Sequence, residues 1–229
     1  MSDPSTTTTS IPRRGPSPKR EAPPGSTWAF VDEQVSHIQR GYLRYPPASG
    51  ARAALAKLRR GLGHEAGTVP EILKLTINPD APRPHRDEPT ADEHAIHAAL
   101  TLYAVHQQSQ NRQMHVRGRS FGSALGRIRY REGAENQGVV RRFQALGTAT
   151  DLNEAVVHAR ALVTLLRGAG EAFDYGRFAV DLVRLQHPAH ASAVRLAWGR
   201  DFYRTRPTAV DEPADSATPT AGTTSEELS

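Results

Sequence analysis

The sequence predicts an all-α protein of about eight helices, in one or two bundles, with a disordered tail at each end. Three observations carry that reading. Apolar residues between 26 and 206 recur at helical spacing, and no convincing strand alternation appears. Helix-capping residues, Ser26, Thr90, Asp151 and Asp174, stand just ahead of several of these segments. Residues 1–25 and 207–229 are built from Ser, Thr, Pro and charge, and cannot bury enough apolar surface to offset chain entropy. The ordered domain is therefore placed at 26–206.

Taken in order, a helix over 27–43 opens after Ser26 and carries Trp28, Val31, Val35, Ile38 and Leu43. Tyr45-Pro46-Pro47 stops it. Residues 51–62 are rich in Ala, Leu, Lys and Arg, all strong helix formers, and end at Gly61 or Gly63. Pro70 suits the first position of a short helix through Leu75. A Pro-rich loop over 78–89 leads to Thr90, the cap of a helix expected to run to about Gln110, with Ile96, Ala99, Leu100 and Tyr103 on one face. Asp151 and Glu154 resemble a capping box, and Leu152 to Leu166 keep one apolar stripe. Asp174 caps a further helix with Tyr175, Phe178, Leu182 and Leu185. Pro188 ends it, and a last helix over 190–204 carries Val194, Trp198 and Phe202. No internal repeat is visible.

Charge narrows the function. The chain has 29 basic and 24 acidic residues among 229, a net of +5. The tails hold 4 of the basic and 7 of the acidic residues, which leaves a net of +8 between 26 and 206. A surplus of that size favours an anionic partner. There is no cysteine, which excludes disulfides, thiolate metal sites and a thiol nucleophile, and fits a cytoplasmic location. No apolar run approaches a membrane span, and the N-terminus lacks the apolar stretch of a secretory signal.

The basic residues fall in three clusters. Arg52, Lys57, Arg59 and Arg60 lie in ARAALAKLRRG. Arg112, Arg117, Arg119, Arg127, Arg129 and Arg131 lie with His115 in an acid-free run over 111–131. Arg141 and Arg142 lie in VVRRFQAL. Arginine forks suit phosphate oxygens. Phe121, Tyr130 and Phe143 stand near these arginines, and Phe143 reads as core, so backbone contact suits the clusters better than base readout. The candidate nucleic-acid-binding residues are Arg52, Lys57, Arg59, Arg60, Arg112, Arg117, Arg119, Arg127, Arg141 and Arg142.

Other motifs are weaker. Gly118-Arg-Ser120-Phe-Gly122 matches the nucleophile elbow of serine hydrolases, but no strand precedes it and no parallel sheet is evident. The alternative is a turn whose small residues pack closely, with Ser120 capping the next helix. Gly61 to Gly67 has one residue too many for a dinucleotide fingerprint and follows a helix. His94 and His97 are three apart on a helix, with no obvious third metal ligand. A helix-turn-helix regulator would have to sit around Gly147, over 139–165, where the second helix is too apolar for a groove.

With these residues in place, a resemblance is visible. ARAALAKLRRG, RGRSFGSALGRIR, VVRRFQAL, FDYGRFAVDLVRL and VRLAWGRDFYR occur in order over about 50–204. Together they resemble the CasB family, the small subunit of the type I-E CRISPR Cascade complex. The resemblance implies an all-α, non-catalytic protein, and neither a cofactor nor a membrane partner is expected. It implies two copies stacked head to tail against the backbone and large subunits, with a basic surface that helps hold crRNA-guided target DNA unwound in the R-loop. Arg59, Arg60, Arg141 and Arg142 match the family positions. Arg112, Arg117 and Arg119 fall in a loop of variable sequence.

Overall fold

A computed structural model describes residues 25–85, 87–131 and 133–205. The expected tails lie outside the described residues, apart from Gly25. In order the chain forms α1 (Thr27–Leu43), α2 (Ser49–Gly61), α3 (Pro70–Thr76), α4 (Ala91–His106) and α5 (Phe121–Arg127). The strands β1 (Tyr130–Arg131) and β2 (Ala134–Glu135) follow, then α6 (Gln137–Thr148), α7 (Leu152–Ala169), α8 (Tyr175–Leu185) and α9 (Pro188–Arg204). The all-α class holds. The short antiparallel hairpin pairs Tyr130 with Glu135 and Arg131 with Ala134, and had no signal in the alternation of the sequence.

Four caps form where the sequence places them. Ser26 accepts from the Ala29 N–H, and Thr90 from that of Glu93. Asp151 accepts from the Glu154 N–H, and Asp174 from that of Arg177. At Thr90 the box is reciprocal, because the Glu93 carboxylate accepts from the Thr90 N–H at 2.7 Å. At α7 the Glu154 carboxylate reaches one residue further back, to the N–H and hydroxyl of Thr150.

Three boundaries differ from expectation. Helix α2 starts at Ser49 rather than Ala51. Helix α4 stops at His106, short of Gln110. Gln107 takes the Gln110 and Arg112 carbonyls through its amide, and Ser109 adopts a φ of 59°, so the chain leaves the helix there. Pro188 is the first residue of α9 as well as the end of what precedes it; its missing N–H costs nothing at that position.

Helix α4 is the hub. Ala95, Ile96, Ala98, Ala99, Leu100, Leu102, Tyr103 and Ala104 are buried, so every face is covered rather than the one stripe expected. Helices α1, α2, α3, α7 and α8 all pack against it. The core continues from there without a break into α5, α6 and α9, through Phe121, Phe143, Phe173, Phe178, Trp198 and Phe202. No described helix is long and apolar enough to cross a membrane.

Helices α5 and α9 meet at backbone distance. A Cβ on Gly122 would stand 2.4 Å from the Trp198 carbonyl oxygen, and one on Gly126 would stand 2.6 Å from that of Phe202. The two glycines are four apart and share one helix face. Replacing Gly in a helix by Ala normally stabilises it. Here Gly122→Ala forces the helices apart and is expected to cost about 1–3 kcal/mol instead. A fall in the urea or thermal unfolding midpoint checks the sign.

Burial of His106 against the Phe173 and Tyr175 rings depresses its pKa to about 3. Burial lowers His97 and His115 as well. Unfolded histidines take up protons near pH 6.5, while these folded ones do so only at lower pH. Their stabilisation is therefore complete above about pH 6.5 and is lost as the pH falls. Between pH 7.5 and 5, His106 alone removes about 2 kcal/mol of unfolding free energy. His106→Gln is expected to flatten that part of the pH profile in chemical denaturation.

Candidate nucleic-acid interface

The acid-free run is acid-free in sequence and not in space. Between α4 and α5 the chain crosses the protein as a loop held from several sides. Gln39 on α1 accepts from the Met114 and His115 N–H groups and donates to the His115 carbonyl. The segment before α8 lies alongside. The Val116 N–H bonds to the Phe173 carbonyl, and the Asp174 N–H to that of Arg119 at 2.7 Å. Asp174 caps α8 with one oxygen and accepts from the Gly118 N–H with the other, at 2.8 Å. Gly118 takes a φ of 85° there.

Two carboxylates from outside the run meet its cations, and a third stands beside its histidine. Buried Asp32 on α1 pairs with Arg117, whose Nε lies 2.8 Å away. The Arg117 guanidinium also lies 5.7 Å from the Trp28 ring. Glu171 receives both Arg119 Nη1 at 3.1 Å and Arg127 Nε at 2.8 Å. Asp174 adds charge beside His115. The run is therefore neutralised in part from within the protein: Asp32 and Glu171 already pair with three of its arginines. Arg112 lies exposed over Gly170, with its guanidinium carbon 2.9 Å from where a Cβ would be.

Asp32, His115 and Asp174 offer ligand atoms within 4.8 Å of one another. The hydrogen bonds assign them another role. His115 Nδ1 accepts from the Tyr175 N–H, so the proton sits on Nε2 and is donated to Asp32 at 3.1 Å. Both ring nitrogens are occupied, and both carboxylates have other donors. Burial keeps the imidazole neutral against the pull of the two acids. The group is a hydrogen-bonded knot tying α1, the loop and α8. His94 and His97 do not converge: His94 lines a cavity with Asp151 and Arg195, while His97 faces another with Ala66 and Pro84 and lies 3.1 Å from the Gly61 carbonyl.

The hydrolase reading of Ser120 finds no support in its surroundings. Ser120 caps α5 by accepting from the Ser123 N–H and donates its hydroxyl to Asp201 on α9. It is buried, its partners among the described residues are these two, and no strand leads into it. Gly122 serves helix packing. Gly61, likewise, ends α2 against Ile72. The apolar stripe of α7 is buried, which leaves it no groove-reading face.

The other two clusters stand open. On α2, Arg52 is exposed and Arg59 half-buried, with no carboxylate partner among the described residues, while half-buried Lys57 helps Arg60 hold the Glu71 carboxyl below its ordinary range. Arg60 pairs with Glu71 on α3 at 2.5 Å. On α6, Arg141 and Arg142 are exposed, and Arg142 donates to the Gly138 carbonyl of its own helix. Phe143 beside them is core, stacked on Phe202 at 4.1 Å. Helix α2 packs on α4 and helix α6 on α7, so the two clusters stand on different helix pairs. Two aromatic residues that carry exposed ring area, Tyr130 and Tyr203, stand beside Arg129, which the sequence did not single out as a site.

The family model for CRISPR-associated protein Cse2 matches residues 54–203. CasB from Thermobifida fusca is 35% identical with a TM-score of 0.68, over 77% of this chain and 97% of that one. CasB from Thermus thermophilus, at 24% identity, 79% and 97% coverage and a TM-score of 0.58, shares the fold. So does a chain of a CRISPR RNA-guided surveillance complex, at 23% identity, 78% and 94% coverage and a TM-score of 0.60. No curated protein matches. The glycine-spaced α5–α9 contact and the flanking arginine motifs thus lie within a stretch whose family is known, and the chain belongs to the Cse2 family of CRISPR-associated proteins.

Proposed function

We propose that this protein is a non-catalytic subunit of a type I-E CRISPR Cascade complex in the cytoplasm. In this role it binds the backbone of DNA unwound in the R-loop, beside backbone and large subunits and a second copy of itself. The observation that carries the reading is the set of exposed or half-exposed cations without a carboxylate partner among the described residues: Arg52, Arg59, Arg141 and Arg142. Paired cations such as Arg117 and Arg119 have already given up part of their attraction for phosphate. The unpaired ones retain it.

An R-loop exchanges one duplex for another of similar stability, so a few phosphate contacts on a displaced strand are enough to tip it. Each contact also releases counterions, which makes the effect steep in salt. Family membership supports the assembly role, and the engagement of Ser120 with Asp201 supports the absence of hydrolytic chemistry.

Two groups of variants separate binding from folding. Arg59→Ala/Arg141→Ala/Arg142→Ala is expected to fold normally and to weaken single-stranded DNA binding. Its log–log salt slope falls by roughly 2, at about 0.7 per phosphate lost. The assembled complex then forms fewer R-loops. Arg117→Ala/Arg119→Ala is expected to lower the thermal midpoint. R-loop yields equal to wild type for the first group would overturn the proposal.

A further inference from the structure

Arg129 is a cation in an unusual setting. It is 8% exposed, has no carboxylate partner among the described residues, and its Nε is sealed without a hydrogen-bond partner. Its guanidinium carbon instead lies 4.8 Å from the centre of the Tyr130 ring, 5.4 Å from Tyr203 and 5.5 Å from Phe202. Phe143 of α6 stacks behind Phe202. Burying an unpaired charge is costly, and cation–π contact offsets only part of that cost. A fold that needed the rings alone would be better served here by an apolar side chain.

The cluster also reaches the surface. Tyr130 is 36% and Tyr203 53% exposed. A cleft of 560 Å³ opens beside Tyr130, lined also by Asn136, Thr164 and the Arg127–Glu171 pair. More cations surround it. Arg200 is exposed one turn before Tyr203 on the same face of α9, and Arg204 follows it. Arg141 and Arg142 directly precede Phe143 on α6. The hairpin is tied to that helix, since the Asn136 N–H, at the helix cap, donates to the Arg129 carbonyl at 2.6 Å. Glu135 of the hairpin is engaged by Gln137.

We infer that Tyr130 and Tyr203, set around Arg129, form a stacking platform for unpaired bases of a single-stranded nucleic acid. Half-exposed rings backed on one side by a fixed positive charge and flanked by exposed arginines suit a π-faced, polyanionic ligand. Every base has such a face, so recognition is tolerant of sequence. A duplex keeps its bases stacked on one another and cannot use the platform. The inference rests on the backbone-binding reading above and adds a base contact to it.

The full-length chain is titrated with single-stranded oligothymidylate and with an abasic strand of the same number of phosphates. Wild type is expected to prefer oligothymidylate by about tenfold, the scale of one stacked base. Tyr130→Ala/Tyr203→Ala binds both strands at the abasic level, and Tyr130→Phe/Tyr203→Phe keeps the preference because it keeps the rings. Arg141→Ala/Arg142→Ala weakens both strands together. If wild type binds the two strands equally, the platform is overturned and backbone binding stands. If neither strand binds, both readings fall. If the alanine pair keeps the preference but no longer joins a second copy or the assembled complex, the rings are a protein interface and the inference is wrong. The wild-type comparison decides the question even if the alanine pair fails to fold.

Discussion

The loop between α4 and α5 can cross the protein only because its backbone and charges find partners there. A buried loop carries N–H and C=O groups that water no longer satisfies. Here Gln39, Gln107 and Asp174 supply those partners, and Asp32 and Glu171 supply countercharge. The knot at His115 joins α1, the loop and the start of α8 in one hydrogen-bonded unit. Helix α5, and with it the α5–α9 contact and the hairpin, begins where that loop ends. The positions of Arg117, Arg119 and Arg127 therefore follow from carboxylates that are buried or half-buried.

Local signals were legible and distant ones were not. Ser26, Thr90, Asp151 and Asp174 cap helices because a short oxygen-bearing side chain before an apolar stripe has a partner within three residues. The all-round burial of α4 was misread as a single face. Ala95, Ala98 and Ala104 carry little hydrophobic signal, yet their small size is what lets several helices approach. The end of α4 depends on Gln107 turning back on the chain, and a glutamine in a polar stretch gives no warning of that.

The arginines show the same division more sharply. In sequence Arg117, Arg119 and Arg129 look alike. In the fold one faces a buried aspartate 85 positions away, one faces a glutamate 52 positions away, and one stands among rings from the last helix. No local pattern distinguishes them. The nearest available signal for Arg129 was the density of aromatics at Phe202-Tyr203, together with Tyr130 next to it in the chain. By contrast Arg141 and Arg142, legible as a candidate patch from the start, are exposed and lack a carboxylate partner among the described residues.

The glycines at 122 and 126 have a mechanical consequence. Helices that touch through interdigitated side chains can slide, because rotamers give way. Gly122 and Gly126 place backbone against backbone, with no compliant layer between. Ser120 and Ser123 add links to Asp201 and Thr205 along the same seam. Helices α5 and α9 thus form one stiff strut. A load applied at the aromatic end of α9 is carried to the base of the arginine loop without being absorbed on the way.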